Sequence, residues 1–374
     1  MFSIQQGCVK EIICNFPGYQ EMVVIINGEE TKAIAYPDLT GEVRCQDQVW
    51  LNTTAVELKL GTGGYHFVMG IIGREKREYT HTGHIMKLRY TPWQFPVLAV
   101  EEEDSPDHER IKDFSSLQGT PVIVGTLHSM VAPALLLYHL KLPKHRVVYI
   151  MTDGAALPIK LSHLVRKLKE KGLITQTITC GHAFGGDLEA VNLYSALAAA
   201  KMVGKADLII VAMGPGIVGT GTRYGFSGVE QAYILEAVER LEGIPIAIPR
   251  ISFADPRARH HGLSHHSQTI LGQLTYATAH IGFPQWNDER AQFIASQIKT
   301  DNLLKHYWYQ INLPALGELM EEHDLPVKTM GRSYDEDPAF FDTAAAAGIL
   351  ATAFSLGKAD ELPFDVQSYD AAVS

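Results

Sequence analysis

The chain has 374 residues, of which 46 % are hydrophobic and 20 % charged, with a formal net charge of -10. At about 100–200 residues per domain this predicts two or three domains, and the apolar content excludes a disordered chain. The 42 Asp and Glu against 32 Lys and Arg argue against a duplex nucleic-acid binder, which needs a basic face.

The opening run MFSIQQGCVKEIICNF has no basic segment leading into an apolar stretch and a cleavage site, so no signal peptide is expected. No stretch approaches about 18 consecutive apolar residues, so no membrane span is expected either. Cys8, Cys14, Cys45 and Cys180 form no C-x-x-C pair. That argues against a cysteine zinc site and a disulfide framework, and predicts the reducing cytoplasm.

Residues 1–115 read as a β-barrel-like domain. Val9–Ile13, Glu21–Ile26, Thr31–Tyr36, Gln48–Leu51 and Tyr65–Gly70 are short, β-branched or aromatic runs bounded by turn formers. Asn27-Gly28 predicts a two-residue hairpin turn, because both residues tolerate positive φ. Thr80-His81-Thr82-Gly83-His84 reads as a strand end, with His81 and His84 as weaker candidates for a site. The acidic segment Glu101–His108, which carries Pro106, predicts an exposed linker.

Residues 116–374 read as a Rossmann-like α/β domain with a doubly wound, mostly parallel sheet. Strands are expected at Pro121–Gly125, Arg146–Thr152, Leu173–Cys180, Asp207–Met213 and Ile244–Ile248. Helices are expected at about 130–140, Ile159–Lys171, Leu188–Val203 with Asp187 as N-cap, Val229–Leu241 and Ser264–His280. Continuous apolar strands alternating with helices are the pattern of a parallel sheet covered on both faces. Near the end, Asp337 before Pro338 reads as an N-cap followed by an N1 proline.

Ligands of such sheets bind beyond the C-terminal ends of the strands. There the sequence places Gly125–Ser129, Asp153-Gly154, Gly181–Asp187, Gly214–Gly228 and Arg250–His266. All five segments carry Gly, His, Asp, Ser or Arg, whereas the helix ends are plainer.

The loop 214–228 contains G-x-G-x-x-G at Gly214, Gly216 and Gly219, followed by Thr220, Gly221 and Thr222. Glycines let backbone N–H groups approach an anion. A dinucleotide fold is not expected, because the next helix starts about ten residues later and no acidic residue follows the next strand. The plain alternative is a loop packed on its own glycines.

In the segment 250–266, Arg250 and Arg257 are candidate anion ligands, and His260, His261 and Asp255 are candidate metal ligands. Asp153, His182, His265 and His266 are candidate catalytic acids and bases. The plain alternatives are that Ser264 caps a helix and that Asp153 and Asp187 are N-caps.

The runs LNTTAVELKLGTGG, GHIMKLRYTP, TDGAALP, CGHAFGGDLEAVN, MGPGIVGTGT and SFADPRARHHGLSHHS together resemble an uncharacterised bacterial family known by a domain-of-unknown-function label. The resemblance spans nearly the whole chain. It implies a cytosolic bacterial protein and supplies no catalytic residues.

The expectation is therefore an enzyme that hydrolyses or transfers a group on a small anionic, phosphorylated substrate. A divalent transition metal is the candidate cofactor. The alternatives are a non-catalytic ligand sensor and a subunit of a larger complex. A small anionic molecule and further copies of the chain are the expected partners; duplex nucleic acid and membrane are not.

Overall fold

The computed structural model describes residues 2–61, 63–74, 83–299 and 302–362. The chain divides into two compact units at Leu98/Ala99, where the sequence put the boundary at 115/116. The acidic segment belongs to the second unit. The Val100 amide donates to the Glu189 carbonyl at 2.8 Å, and the Val191 amide to Glu101 Oε1 at 2.8 Å.

In the first unit β1 (Ile4–Phe16), β2 (Tyr19–Ile26), β3 (Glu29–Ala35), β4 (Gln48–Asn52) and β5 (Tyr65–Ile71) close into a barrel. The order is β1-β2-β3-β5-β4. Strand alternation turns Val9, Met22, Val24, Ala33, Val49, Leu51 and Val68 into one core. β1 pairs with both β2 and β4, and its register shifts after Val9 and Ile12. Such bulges bend a long strand and help it close a barrel. Asn27 and Gly28, at φ 52° and 86°, make the expected turn, with Ile26 opposite Glu29. A hairpin of β6 (Ile85–Lys87) and β7 (Phe95–Val97) follows. His84 lies in this unit, and His81 lies outside the described residues.

The second unit holds one parallel sheet. Its strands are β8 (Pro121–Val124), β9 (Val147–Thr152), β10 (Gln176–Cys180), β11 (Leu188–Ala190), β12 (Leu208–Met213), β13 (Ile244–Ala247), β16 (His280–Pro284) and β17 (Tyr307–Ile311). They run in the order β11-β10-β9-β12-β8-β13-β16-β17. Between β13 and β16, β14 (Ile251–Ser252) and β15 (Gly262–Leu263) form a small antiparallel pair.

The central strands are apolar throughout because both faces are covered. Val122 and Val124 pack into the layer of helices Leu193–Met202, Gln231–Arg240 and Glu289–Ile298. Ile123 packs into the opposite layer, with helices Val131–Lys141, His163–Glu170, Leu316–Glu322 and Pro338–Ser355. Burying each Val or Ile side chain contributes about 1.5–3 kcal/mol. Helices Val131–Lys141 and Pro338–Ser355 touch backbone to backbone: a Cβ at Gly348 would lie 2.0 Å from the Ala134 carbonyl oxygen. By length and composition Pro338–Ser355 is apolar enough to cross a membrane, but 67 % of it is buried in this core.

Three expected helices change. Leu188–Val203 splits into the edge strand β11 and helix Leu193–Met202, capped by Asn192 in a capping box with Ser195. Asp187 caps nothing. Its carboxylate accepts from the Thr177 amide and hydroxyl and pairs with Lys169. Ile159–Lys171 becomes a 3-10 turn and helix His163–Glu170, capped by Ser162. Ser264–His280 shortens to His265–Thr269 and a π turn at Ile270–Leu274, after which β16 begins at His280. The sequence reads as one helix because Ile270, Leu271 and Leu274 continue a helical period that the wider turn ends. The strands β16 and β17 were not anticipated.

Candidate functional site

β8 and β12 are neighbours, yet the helices that follow them cover opposite faces of the sheet. Their connections part there and leave a crevice beyond the strand ends, the place where open α/β sheets bind ligands. Two cavities occupy it. A larger one of about 500 Å³ is lined by Leu127, His128, Gly214, Pro215, Gly216 and the segment Leu325–Met330, among others. A smaller one of about 350 Å³ lies between Val218, Gly219 and Gly221 on one side and Arg250, Arg257, Arg259, His260 and His266 on the other. Leu127, Ile217 and Met330 line both.

The glycine loop leaves β12 along these cavities. Gly214 is buried, and a Cβ there would lie 2.5 Å from the Ala156 carbonyl oxygen. Gly216 and Gly221 hold positive φ, 107° and 78°. From Val218 onward the loop folds on itself. Gly219 bridges Phe226, the Thr220 amide and hydroxyl donate to the Gly225 carbonyl, and the Gly225 amide donates to Thr222 Oγ1 at 3.2 Å. Thr220 and Thr222 thus close the loop with each other, 2.9 Å apart. Helix Gln231–Arg240 starts well beyond the glycines, preceded by a 3-10 turn at Ser227–Glu230.

The arginines are tied to carboxylates. Asp255, 4 % exposed, accepts from Arg250 Nη2 at 2.8 Å and from Arg257 Nε and Nη2 at 2.9 and 2.8 Å. These guanidiniums hold its carboxyl well below the usual carboxylate range. Asp337 holds the expected N-cap position before Pro338, but its side chain makes no cap bond to the helix. Its carboxylate accepts from Ser252 Oγ at 2.8 Å and from Arg332 Nε at 3.0 Å. Arg332, left out of the expected site, also stands 3.8 Å from Asp255. Three guanidiniums face two carboxylates, and exposed Arg259 has no ion-pair partner among the described residues, so the cavity wall keeps a positive excess.

Three histidines meet beside this wall. His260 ends the 3-10 turn Ala258–His260, and His265 and His266 open the helix capped by Ser264. Gly262, at φ 66°, turns the chain between them. Ring centroids lie 4.8 Å apart for His260 and His265, 5.1 Å for His260 and His266, and 4.1 Å for His265 and His266. His260 Nδ1 is 2.7 Å from Ser264 Oγ, and His266 stacks on Phe226 at 3.8 Å. Burial lowers the pKa of all three, and the nearby arginines add to it: His260 falls to about 3 and His266 to about 4. The rings are neutral at pH 7 and offer lone pairs.

The sequence named His260, His261 and Asp255 as metal ligands. The structure instead groups His260 with His265 and His266. His261 packs edge-on against Phe253 and Phe293 at 5.2 and 5.4 Å, and Asp255 is enclosed by arginines.

Asp153 and His182 line neither cavity. Asp153 does not cap a helix; its Oδ2 accepts from the His182 amide at 2.9 Å. Beside it sits Glu230, 3 % exposed, which accepts from Thr152 Oγ1 at 2.6 Å. Burial pushes its carboxyl up to about 7, and the Asp153 charge adds to this. On the other side of the crevice His128, pushed down to about 4 by burial, lies 2.6 Å from Ser162 Oγ.

A family model described as "Protein of unknown function (DUF3866)" matches residues 32–348. The chain belongs to this family. No curated protein matches it. The DUF3866 match covers the whole parallel sheet, both arginine-bound carboxylates and the three-histidine group. Within it, sequence reasoning missed Arg259 in the cavity lining and, behind it, Phe226 stacked on His266 and Asp337 paired with Arg332. Only Arg259, in the dense run Arg257–His261, carried a local signal.

Proposed function

We propose that this chain is an enzyme that binds a small phosphorylated anion in the smaller cavity and hydrolyses it or transfers a group from it. The observation that carries the reading is the shared lining. Arginines with a positive excess, neutral histidines and the glycine loop face one space of about 350 Å³ at the point where the strand order reverses. The larger cavity, walled by Leu127, Pro215, Ile217 and Val327, is suited to an apolar remainder of the substrate. In the hydrolytic form a water oxygen bonds to phosphorus as the P–O(ester) bond breaks, one water proton passes to a neutral imidazole, and the imidazolium formed returns that proton to the leaving ester oxygen. The glycine loop does not open a helix as in a dinucleotide site, which favours this chemistry over hydride transfer. A cytoplasmic setting belongs to the same proposal and fits the free thiols of Cys8, Cys14 and Cys45.

The test uses inorganic phosphate and a panel of phosphate monoesters, diesters and anhydrides, with binding read by calorimetry and turnover by phosphate release. Arg259→Ala removes the cation without an ion-pair partner and is expected to weaken binding about tenfold. His266→Ala is expected to lower turnover by about 10²–10⁴ with little change in affinity. Binding without turnover across the panel, with affinity alone changed in both variants, supports a ligand sensor instead. No binding at all overturns the reading.

A further inference from the structure

We propose that His260, His265 and His266 bind a divalent transition metal of the zinc class, with an open coordination position facing the smaller cavity. One ring nitrogen from each lies within 4.8 Å of the other two. Tetrahedral zinc, at about 2.0–2.1 Å from nitrogen, holds its ligand atoms about 3.3 Å apart, so the rings close by about 1.5 Å or less, within reach of side-chain torsions.

Two observations beyond proximity point to an ion. His265 Nε2 is buried with no hydrogen-bond partner among the described residues, a cost that a metal bond removes. The other two rings are held by neighbours. Ser264 Oγ engages His260 Nδ1, and Phe226 stacks on His266. Hydrogen bonds of this kind orient metal-bound imidazoles. His260 and His266 also line the cavity, so a fourth ligand, water or substrate, can enter from it.

The ligand chemistry narrows the ion. Imidazoles without a carboxylate suit zinc, copper, iron or nickel rather than magnesium or calcium. Asp255, the carboxylate that acts on His260, offsets one of the two positive charges of Arg250 and Arg257 and so lowers the repulsion an ion meets. The inference deepens the function proposed above: a bound ion would itself activate the water, in place of the free imidazole that accepts the proton in the metal-free form. It stands on the histidine geometry and not on the cavity's cations.

The experiment is elemental analysis of the full chain, made without a histidine tag and purified without chelator. Chelator-stripped protein is then titrated with Zn²⁺ alone and with Co²⁺ as a coloured probe. About one ion per chain and a tetrahedral Co²⁺ spectrum are expected. His265→Ala is expected to lose at least about tenfold in affinity, and His261→Ala to match the parent. Circular dichroism shows whether each variant is folded, and the unmodified chain decides the matter if a variant is not. A chain that carries no metal and takes up neither Zn²⁺ nor Co²⁺ overturns the proposal, as does equal uptake by a folded variant lacking all three histidines. All readings are taken without substrate. Full metal loading with no anion binding overturns only the functional reading above; phosphate binding by a chain that refuses both ions overturns only this one.

Discussion

Glu230 and Asp153 are neighbouring carboxylates in opposite surroundings. Asp153 is exposed, whereas Glu230 is buried with its carboxyl pushed up to about 7. Between the unfolded value near 4.5 and about 7 the folded chain holds a proton that the unfolded chain has lost. This contribution to stability is complete below the unfolded value and fades as pH rises through the window. Glu230→Gln keeps an oxygen for the Thr152 hydroxyl and removes the titration. The variant is expected to be more stable than the parent at pH 8, by about 3 kcal/mol, and equal to it at pH 4. Urea unfolding at the two pH values checks this, and parallel pH curves would count against it. Asp153 drew notice because Asp-Gly at a strand end is a local signal, although it lines neither cavity. Glu230 did not: in Gly228-Val229-Glu230-Gln231 it reads as the exposed first turn of a helix, and its partner Thr152 is 78 positions away.

The glycine loop shows how one element can serve two purposes. Its G-x-G-x-x-G letters read as a phosphate loop, but Gly214 is set by close approach of backbone to backbone. Gly214→Ala would put a methyl 2.5 Å from the Ala156 carbonyl oxygen, and a cost of about 1–3 kcal/mol is expected. At Gly219 the nearest atoms to such a methyl are 3.5 Å or more away, on His266 and Phe226. Gly219→Ala is expected to stay within about 0.5 kcal/mol of the parent. Thermal unfolding of the two variants checks the contrast, and equal melting temperatures would show that the close approach at Gly214 has been misjudged. The helix expected at Ser264–His280 belongs to the same scale. Its polar start was read correctly, with Ser264 as cap, but the π turn at Ile270–Leu274 ended it early. Turns of that kind recur at functional sites, and this one directly follows the short helix that holds two of the three clustered histidines.

On the scale of the molecule, every residue placed at the candidate site lies in the second unit, which has a core on each face of its own sheet. Residues 99–374 expressed alone are therefore expected to keep the Zn²⁺ stoichiometry and to bind phosphate within about twofold of the full chain. Titration of the fragment checks this; a folded fragment that has lost both would assign part of the site to the first unit. The barrel was legible because its strands alternate and its turn at Asn27-Gly28 is local. The unit boundary was less so, since the acidic segment looks like a linker until Val100 and Glu101 are seen bonded to β11 and the residue after it.

Much of the architecture is written along the chain. Apolar runs that need cover on both faces imply a parallel sheet, and the polar residues after five of them imply one functional edge. These are consequences of periodicity and of the shared direction of parallel strands. The order β11-β10-β9-β12-β8-β13-β16-β17 could not be read that way, because any apolar strand can pair with any other. That order puts β8 beside β12 and opens the crevice between them. Folding also decided which histidines meet. Adjacency in sequence joined His260 to His261, but the turn at Gly262 brings His260 over the helix start at His265 and His266 and leaves His261 among aromatic rings. Side-chain partners are set by the distance the backbone leaves between them, and only the tertiary fold sets that distance.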